Sequence, residues 1–419
     1  MADRHPHPSV FMFLIVPYGV MSGYLSVSVA YLLSRNHITV EQVAALIAAS
    51  FLPHTWKFVW APICDTLLKR KTWYLAGSVV SSVGIMAMGV LPMTPAQLPL
   101  LTVIVVVANF AVTLVCMGTE SLMAYAVPED EKGRAGGWFQ AGYLGGAGLG
   151  GGAGLWLAQH YSAPWLSGTV LGAVCLACAA GLFFIREPAG IPTGPGIGAR
   201  LGFVLKDNWH VVRARLGFLA LLLAFLPVGS GAAGQLWAAV ADDWHASAKT
   251  VALVTGVLSG LISAAGCLVG GWASDRMNRK LAYLVYGVLQ AACAVGMAFG
   301  PRSEGAYVGY TSVYAFITGL TYAGFTAYVL EAMGMGAAAT KYSLFASLSN
   351  FPIVYVTAID GHAHTRWGSR GMLLAEAATG MAGLVLFVAV WSASRRWWPG
   401  PERAESPMPA LAVAPVSID

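Results

Sequence analysis

An all-α integral membrane protein is the fold class this sequence predicts, with twelve transmembrane helices in two pseudo-symmetric six-helix bundles. Composition gives the first reason: of 419 residues 57% are hydrophobic and only 10% are charged, against about 25% charged in an ordinary soluble domain. The mean hydropathy of +0.66 leaves too few polar groups to cover a water-facing surface. The second reason is spacing, since charges recur at intervals that fit one or two membrane crossings. The same composition excludes a disordered chain. A membrane β-barrel would need short alternating strands, and the sequence has none.

A helix needs about 20 apolar residues to cross the hydrocarbon core. The first span reads as 9–34 and the second as 40–64. Thr72 to Thr119 carries no charge and is divided by Pro92–Pro99, so it holds spans three and four. Ala135 to Ile185 is also uncharged, is broken at His160 and Pro164, and holds spans five and six. Single spans follow at 216–240, 250–274, 281–300, 305–334, 340–362 and 371–395. Met1–Pro8 is too short and too weakly basic to precede a cleaved signal sequence, so the first span is expected to stay in the mature protein. The tail 397–419 is rich in Pro and Ala and reads as a disordered cytoplasmic segment.

Lysine and arginine set the orientation. With the N-terminus inside, the inner loops collect Arg4, Lys69, Arg70, Lys71, Lys132, Arg134, Arg186, Arg200, Lys206, Arg213, Arg215, Arg276, Arg279, Lys280, Lys341, Arg395, Arg396 and Arg403, which is 18. The outer loops hold five: Arg35, Lys249, Arg302, Arg366 and Arg370. Both termini are therefore expected in the cytoplasm, in the inner (plasma) membrane. The net charge of +5 is accounted for by topology and needs no nucleic-acid partner.

The longest connection, 186–215, contains Pro188, Pro192, Gly194, Pro195 and Gly196 before an amphipathic run from Leu201 to Val212. It divides an N-terminal bundle at 1–185 from a C-terminal bundle at 216–396. One offset of 210 residues aligns Pro17 with Pro227, Gly19 with Gly229, Asp65 with Asp275, and the pair Lys69-Arg70 with Arg279-Lys280. A shared offset at corresponding places indicates an internal repeat, and parallel six-helix repeats are one transporter architecture.

Gly270-Gly271-Trp272-Ala273-Ser274-Asp275-Arg276-Met277-Asn278-Arg279-Lys280 resembles the loop motif of the major facilitator superfamily. Its first-half copy, Ala61 to Lys71, keeps Asp65 and the basic cluster but lacks the glycines. Three further stretches are similar to the AmpG-like peptide/acetyl-CoA transporter group of that superfamily: Leu52–Pro62, Glu120–Tyr125 with Gly133–Tyr143, and Ala339–Asn350. Glu120 stands where that group usually has Asp. The group's muropeptide permeases carry extra C-terminal spans, whereas this sequence reads as twelve. The resemblance implies the major facilitator fold and a secondary active transporter that moves a small solute by alternating access. It implies an amino-sugar or muropeptide fragment, a siderophore or an acyl-CoA-like compound as substrate. No nucleotide-binding motif is present, so protons are the expected driving ion. No cofactor or metal is expected, and a monomer in the lipid bilayer is.

Asp65 and Asp275 fall at the cytoplasmic ends of spans two and eight. A carboxylate there suits the positive end of a neighbouring helix, making Asp65, Lys69, Arg70, Gly271, Asp275, Arg276, Arg279 and Lys280 candidates for a gate latch. For the bases, plain positive-inside topology is the simpler alternative. Lys57 lies eight positions before Asp65, about 12 Å into the membrane, where an unpaired charge is costly. Glu120 lies eight positions before Pro128, at matched depth on span four. Thr102, Asn109, Thr113, Cys116 and Glu120 share one helical face. Lys57 and Glu120 thus read as a pair, either exchanging a proton beside the transport path or bracing the bundle. His54, one turn from Lys57, shares its cavity or is a packing residue. Cavity-lining candidates are Tyr18, His54, Asn109, Tyr314, Thr318, Thr321, Tyr328 and Asn350, because aromatic and hydroxyl faces stack on and hydrogen-bond to sugars and peptides. Packing through small polar residues is the alternative. Glu331, Asp360 and Glu376 read as interfacial.

The G-x-G-x-x-G matches in Gly145–Gly154 lack the strand and the Lys-Ser/Thr of a nucleotide loop. Cys175 and Cys178 have zinc spacing but no partner ligand. All six cysteines lie in apolar stretches and predict no disulfide. An integral-membrane enzyme built on His362, His364 and Asp360, or a non-transporting sensor, are the other classes this sequence permits.

Overall fold

The computed structural model describes residues 6–36, 38, 40–161, 163, 165–186, 197–334 and 338–397. Arg4, Arg403, the tail beyond Trp397 and the linker residues Pro188, Pro192, Gly194, Pro195 and Gly196 lie outside them. Twelve helical crossings follow in order. Span one runs from Val10–Gly23 through the π-helical turn Tyr24–Val29 into Ala30–Arg35. Spans two to five are Val40–Thr66, Arg70–Val90, Leu98–Ala126 and Lys132–His160. Span six joins Trp165–Ala177 to Cys178–Phe184. The amphipathic run becomes the linker helix Ile197–Arg213. Span seven begins as Arg215–Phe225, and span eight extends from Ala248–Ala252 through Leu253–Leu258 to Ser259–Ser274. Spans nine and ten are Arg279–Phe299 and Glu304–Met333. Span eleven joins Ala338–Leu348 to the part of Asn350–Trp397 before its turn at Gly368, whose φ of 66° and ψ of −171° are not helical, and span twelve is the part after that turn.

Two boundaries depart from the sequence reading. Span seven is not one helix over 216–240. Its helix stops at Phe225, because Pro227 has no N–H to donate and Gly229 and Gly231 take positive φ, 61° and 70°. Short turns at Ala232–Gln235 and Trp237–Val240 complete the crossing. Pro17, at the matching place in span one, sits inside a continuous helix. Span eleven also runs past residue 362 to the Gly368 turn.

Eight helical segments are long and apolar enough to cross a membrane, and the last of them, Ala338–Ser394, contains two spans. Spans two, five and seven fall short of that standard. Span two carries His54 and Lys57, span five is glycine-rich, and span seven is broken. These same three spans contribute to the cavities described below.

Glycine allows backbones to meet directly where spans one and five cross. A Cβ on Gly150 would lie 2.8 Å from Val20 Cα, and one on Gly19 would lie 2.8 Å from Ala147 N. The glycine run is therefore a packing surface. Cys175 and Cys178 are free thiols, and among the described residues no group of three His, Cys, Asp or Glu could hold a metal.

Candidate functional site: a central cavity and two reciprocal helix caps

Both bundles contribute to a central cavity. Ile15, Tyr18, His54, Lys57, Glu120 and Tyr143 line it from the first bundle. Tyr322, Phe325, Tyr342, Ser349 and Asn350 line it from the second. Gln140 donates to Thr326 Oγ1 at 2.8 Å, and Thr326 is 3.2 Å from the Tyr342 hydroxyl, so a polar network joins the bundles at this cavity.

Lys57 and Glu120 meet in this cavity, Nζ to Oε1 at 3.2 Å, with side chains 6% and 2% exposed. The Cys116 thiol also donates to Glu120 Oε1, at 3.0 Å, while Oε2 has no protein partner. His54 Nε2 lies 3.0 Å from Asn109 Oδ1, and Asn109 Nδ2 donates to Val105 O at 2.8 Å. The second bond fixes the amide, so Nε2 of His54 carries the hydrogen and Nδ1 is left with a buried, unpartnered lone pair. Tyr18 packs edge-on against His54 and Tyr143, both at 5.1 Å between centroids.

Span ten divides its candidates among different surroundings. Tyr314 and Thr318 line a second cavity with Ser230, Gln235 and Trp237, and Tyr322 belongs to both cavities. Thr321 faces Gly229 at the span-seven break. Tyr328, one of the cavity-lining candidates, is fully buried in the apolar core and lines none of these cavities. Tyr310 packs on Gly296 and Gly300 instead. The sequence reading missed Gln140, Tyr143, Tyr322 and Tyr342. The signal for the first two was the Phe139, Gln140, Tyr143 face of span five, hidden among glycines.

At the ends of spans two and eight the two acidic loops are reciprocal. Asp65 of the first bundle accepts from the Ala339 and Thr340 amides at 3.2 and 2.8 Å and from the Thr340 hydroxyl at 2.7 Å. These donors open Ala338–Leu348 of the second bundle. Asp275 of the second bundle accepts from the Gly133 and Arg134 amides at 2.6 and 2.8 Å and from Arg134 Nε at 3.1 Å, at the start of span five. Each carboxylate thus caps a helix N-terminus in the opposite bundle, where free amides and the helix dipole favour an anion. Burial pushes the Asp275 carboxyl above its ordinary pKa, against the pull of the Arg134 and Gly133 hydrogen bonds. Gly271 allows spans eight and five to cross here, since its Cβ would lie 2.8 Å from Gly137 Cα.

The bases do not act alike. Arg279 reaches Glu129 Oε1 at 2.9 Å and Glu331 at 3.3 Å, and also bonds the Glu129 carbonyl. Burial raises the Glu129 pKa, but Lys132 and Arg279 outweigh it and hold the group below its ordinary value. Arg70 donates to Ser121 at 2.7 Å and lies over the Tyr125 ring. Lys280 is buried, 5.7 Å from the Trp391 ring centre. Lys69 is exposed, and Arg276 is exposed above Trp272. Lys341, beside Thr340, pairs with Asp207 of the linker helix at 2.8 Å.

Asp360 and Glu376 are not interfacial. They are 0% and 5% exposed, and Tyr314 donates to Glu376 Oε1 at 2.7 Å. Counting from loop charges such as Arg366 placed them too shallow. Span eleven continues to Gly368, and each acid lies eight residues from that turn, about 12 Å along its helix.

Two six-helix bundles enclosing a shared polar cavity define a membrane transporter. Residues 11–357 match the Major Facilitator Superfamily, and the chain belongs to that family. It is 25% identical over 348 residues to the anhydromuropeptide permease of Escherichia coli, covering 80% of this chain and 70% of that one. Its fold is similar to a variant of the E. coli fucose:proton symporter FucP, with TM-score 0.71, 16% identity, and coverage of 92% and 98% of the two chains. FucP in the outward conformation gives TM-score 0.69 at 17% identity, covering 92% and 97%. The proton:xylose symporter XylE gives 0.64 at 13%, covering 91% and 94%. The protein is a secondary transporter and not the membrane enzyme that the His362, His364 and Asp360 cluster left open.

Proposed function

We propose that this protein is a proton-coupled permease of the AmpG type for a medium-sized solute bearing amino-sugar or peptide groups. The observation that carries the reading is the central cavity itself. It presents four tyrosines for stacking, the amides of Gln140 and Asn350 for hydrogen bonding, and a buried ion pair beside them. Tyrosine faces with amide donors and acceptors suit sugar rings and peptide bonds better than a long acyl chain. Similarity to an anhydromuropeptide permease and to two sugar:proton symporters supports both the solute class and the ion. Lys57–Glu120 is the coupling pair in this reading, and the Asp65 and Asp275 caps hold the cytoplasmic gate shut. Proteoliposomes given an inward proton gradient accumulate radiolabelled anhydromuropeptide, and an uncoupler abolishes the accumulation. Equal labelling with and without the gradient sinks the coupling; no uptake or exchange of the probe sinks the solute class.

The inner membrane, with both termini cytoplasmic, is part of the same reading, supported by the 18-to-5 basic asymmetry. Cysteines placed at Thr94, in the loop after span three, and at Lys206, on the linker helix, react with an impermeant maleimide from opposite sides of the membrane. Reaction of both from one side rejects the topology.

A further inference from the structure

Asp360 and Glu376 come from spans eleven and twelve, are both buried inside the second bundle, lie eight residues to either side of the Gly368 turn, and are near enough to interact with one another. Both oxygens of Asp360 and Oε2 of Glu376 are buried and receive no hydrogen bond. Oε1 of Glu376 accepts from the Tyr314 hydroxyl at 2.7 Å and from Ser230 at 3.5 Å. Among the described residues no lysine, arginine or histidine pairs with either acid. Tyr314 is the titratable group facing the pair from span ten. On span nine, Tyr283, Tyr286 and Cys293 spend their donors on the carbonyls of Val228, Gly270 and Tyr310. Arg215 of span seven donates to Ser394, near the other end of span twelve.

Two adjacent carboxylates, buried and without a counter-charge, cannot both be ionised, because each raises the cost of the other's charge. One proton between them removes a charge and supplies the missing donor to an orphaned oxygen. We propose that Asp360 and Glu376 form a proton-binding site that holds a single shared proton, separate from Lys57–Glu120, and that it exchanges with the second cavity through Tyr314. Tyr314 and Ser230 line that cavity and both touch Glu376, so they connect buried acid to solvent-sized space. Ser230 also belongs to the break in span seven. The charge state of the pair is thereby tied to the break in span seven.

The site is testable without knowing the transported solute. Infrared difference spectra of the purified protein at neutral pH contain a protonated-carboxyl band that disappears as the wild type is made alkaline. Asp360→Asn and Glu376→Gln each remove it, while the folded double variant Lys57→Ala with Glu120→Gln leaves it in place. The amides imitate a protonated acid, so both variants should fold, and the wild-type titration stands independently of them. Tyr314→Phe shifts the band without abolishing it, because the bond to Oε1 is lost and the shared proton is kept. Absence of the band in the wild type, or its persistence in both acid variants, overturns the proposal. Loss of the band on adding sodium chloride at constant pH also overturns it, by showing that a metal cation occupies the pair.

Discussion

Lys57→Ala gives a protein that folds poorly and accumulates no solute, Glu120→Gln does the same, and the double variant regains folding. Removing one partner from a buried ion pair leaves the other charge unsolvated, at a cost of about 3–5 kcal/mol. That is a large part of the roughly 5–15 kcal/mol that stabilises a typical domain. Removing both charges leaves nothing to solvate, so the two effects are not additive. Thermal unfolding in detergent reads the folding half of this cycle. Uptake reads the other half: the double variant exchanges solute downhill but does not concentrate it against a gradient, since no group remains at this site to take and release the proton. Full gradient-driven accumulation in the double variant would reject coupling and leave a structural brace. Unimpaired single variants would reject both roles.

Asp65→Asn and Asp275→Asn open the cytoplasmic face. Each carboxylate accepts two backbone amides and a third donor from the opposite bundle. Hydrogen bonds to a charged group contribute about 1.5–3 kcal/mol each to stability. Losing the equivalent of one shifts the gate equilibrium roughly tenfold to a hundredfold, at about 1.4 kcal/mol per decade. A cysteine introduced at Ala346, in the central cavity, reports this in inside-out vesicles by faster reaction with an impermeant maleimide. The double variant reacts faster than either single one. Unchanged rates in both single variants would remove the latch. Faster labelling with Asp275→Asn alone would confine it to the loop with the complete glycine motif.

Depth along a helix is what made part of the site legible. Lys57 and Glu120 could be matched because each lies eight residues from a recognisable span end, Asp65 and Pro128. Asp360 and Glu376 obey the same arithmetic, but their reference point is Gly368, flanked by Arg366 and Arg370, which looked like a broad outer loop. Span ten shows a different limit. Its Tyr and Thr residues recur at helical spacing, yet the helix has neighbours on every side, so periodicity cannot say which polar residue meets a cavity. Tyr314 and Thr318 do, and Tyr328 does not. The repeat told where Pro227 corresponds to Pro17 but not that one helix breaks and the other continues. The difference lies beyond the shared Pro-x-Gly, in Gly231, which takes positive φ where span one has Met21.

The exchange of caps between bundles also bears on how the chain is made. Asp65 emerges from the ribosome long before the Ala339 and Thr340 amides that cap it, and the start of span five waits about half as long for Asp275. A product halted after six spans therefore leaves both an orphaned acid and an uncapped helix. Neither half can complete its own seal. Sealing this end of the molecule therefore has to wait until the later spans have been made.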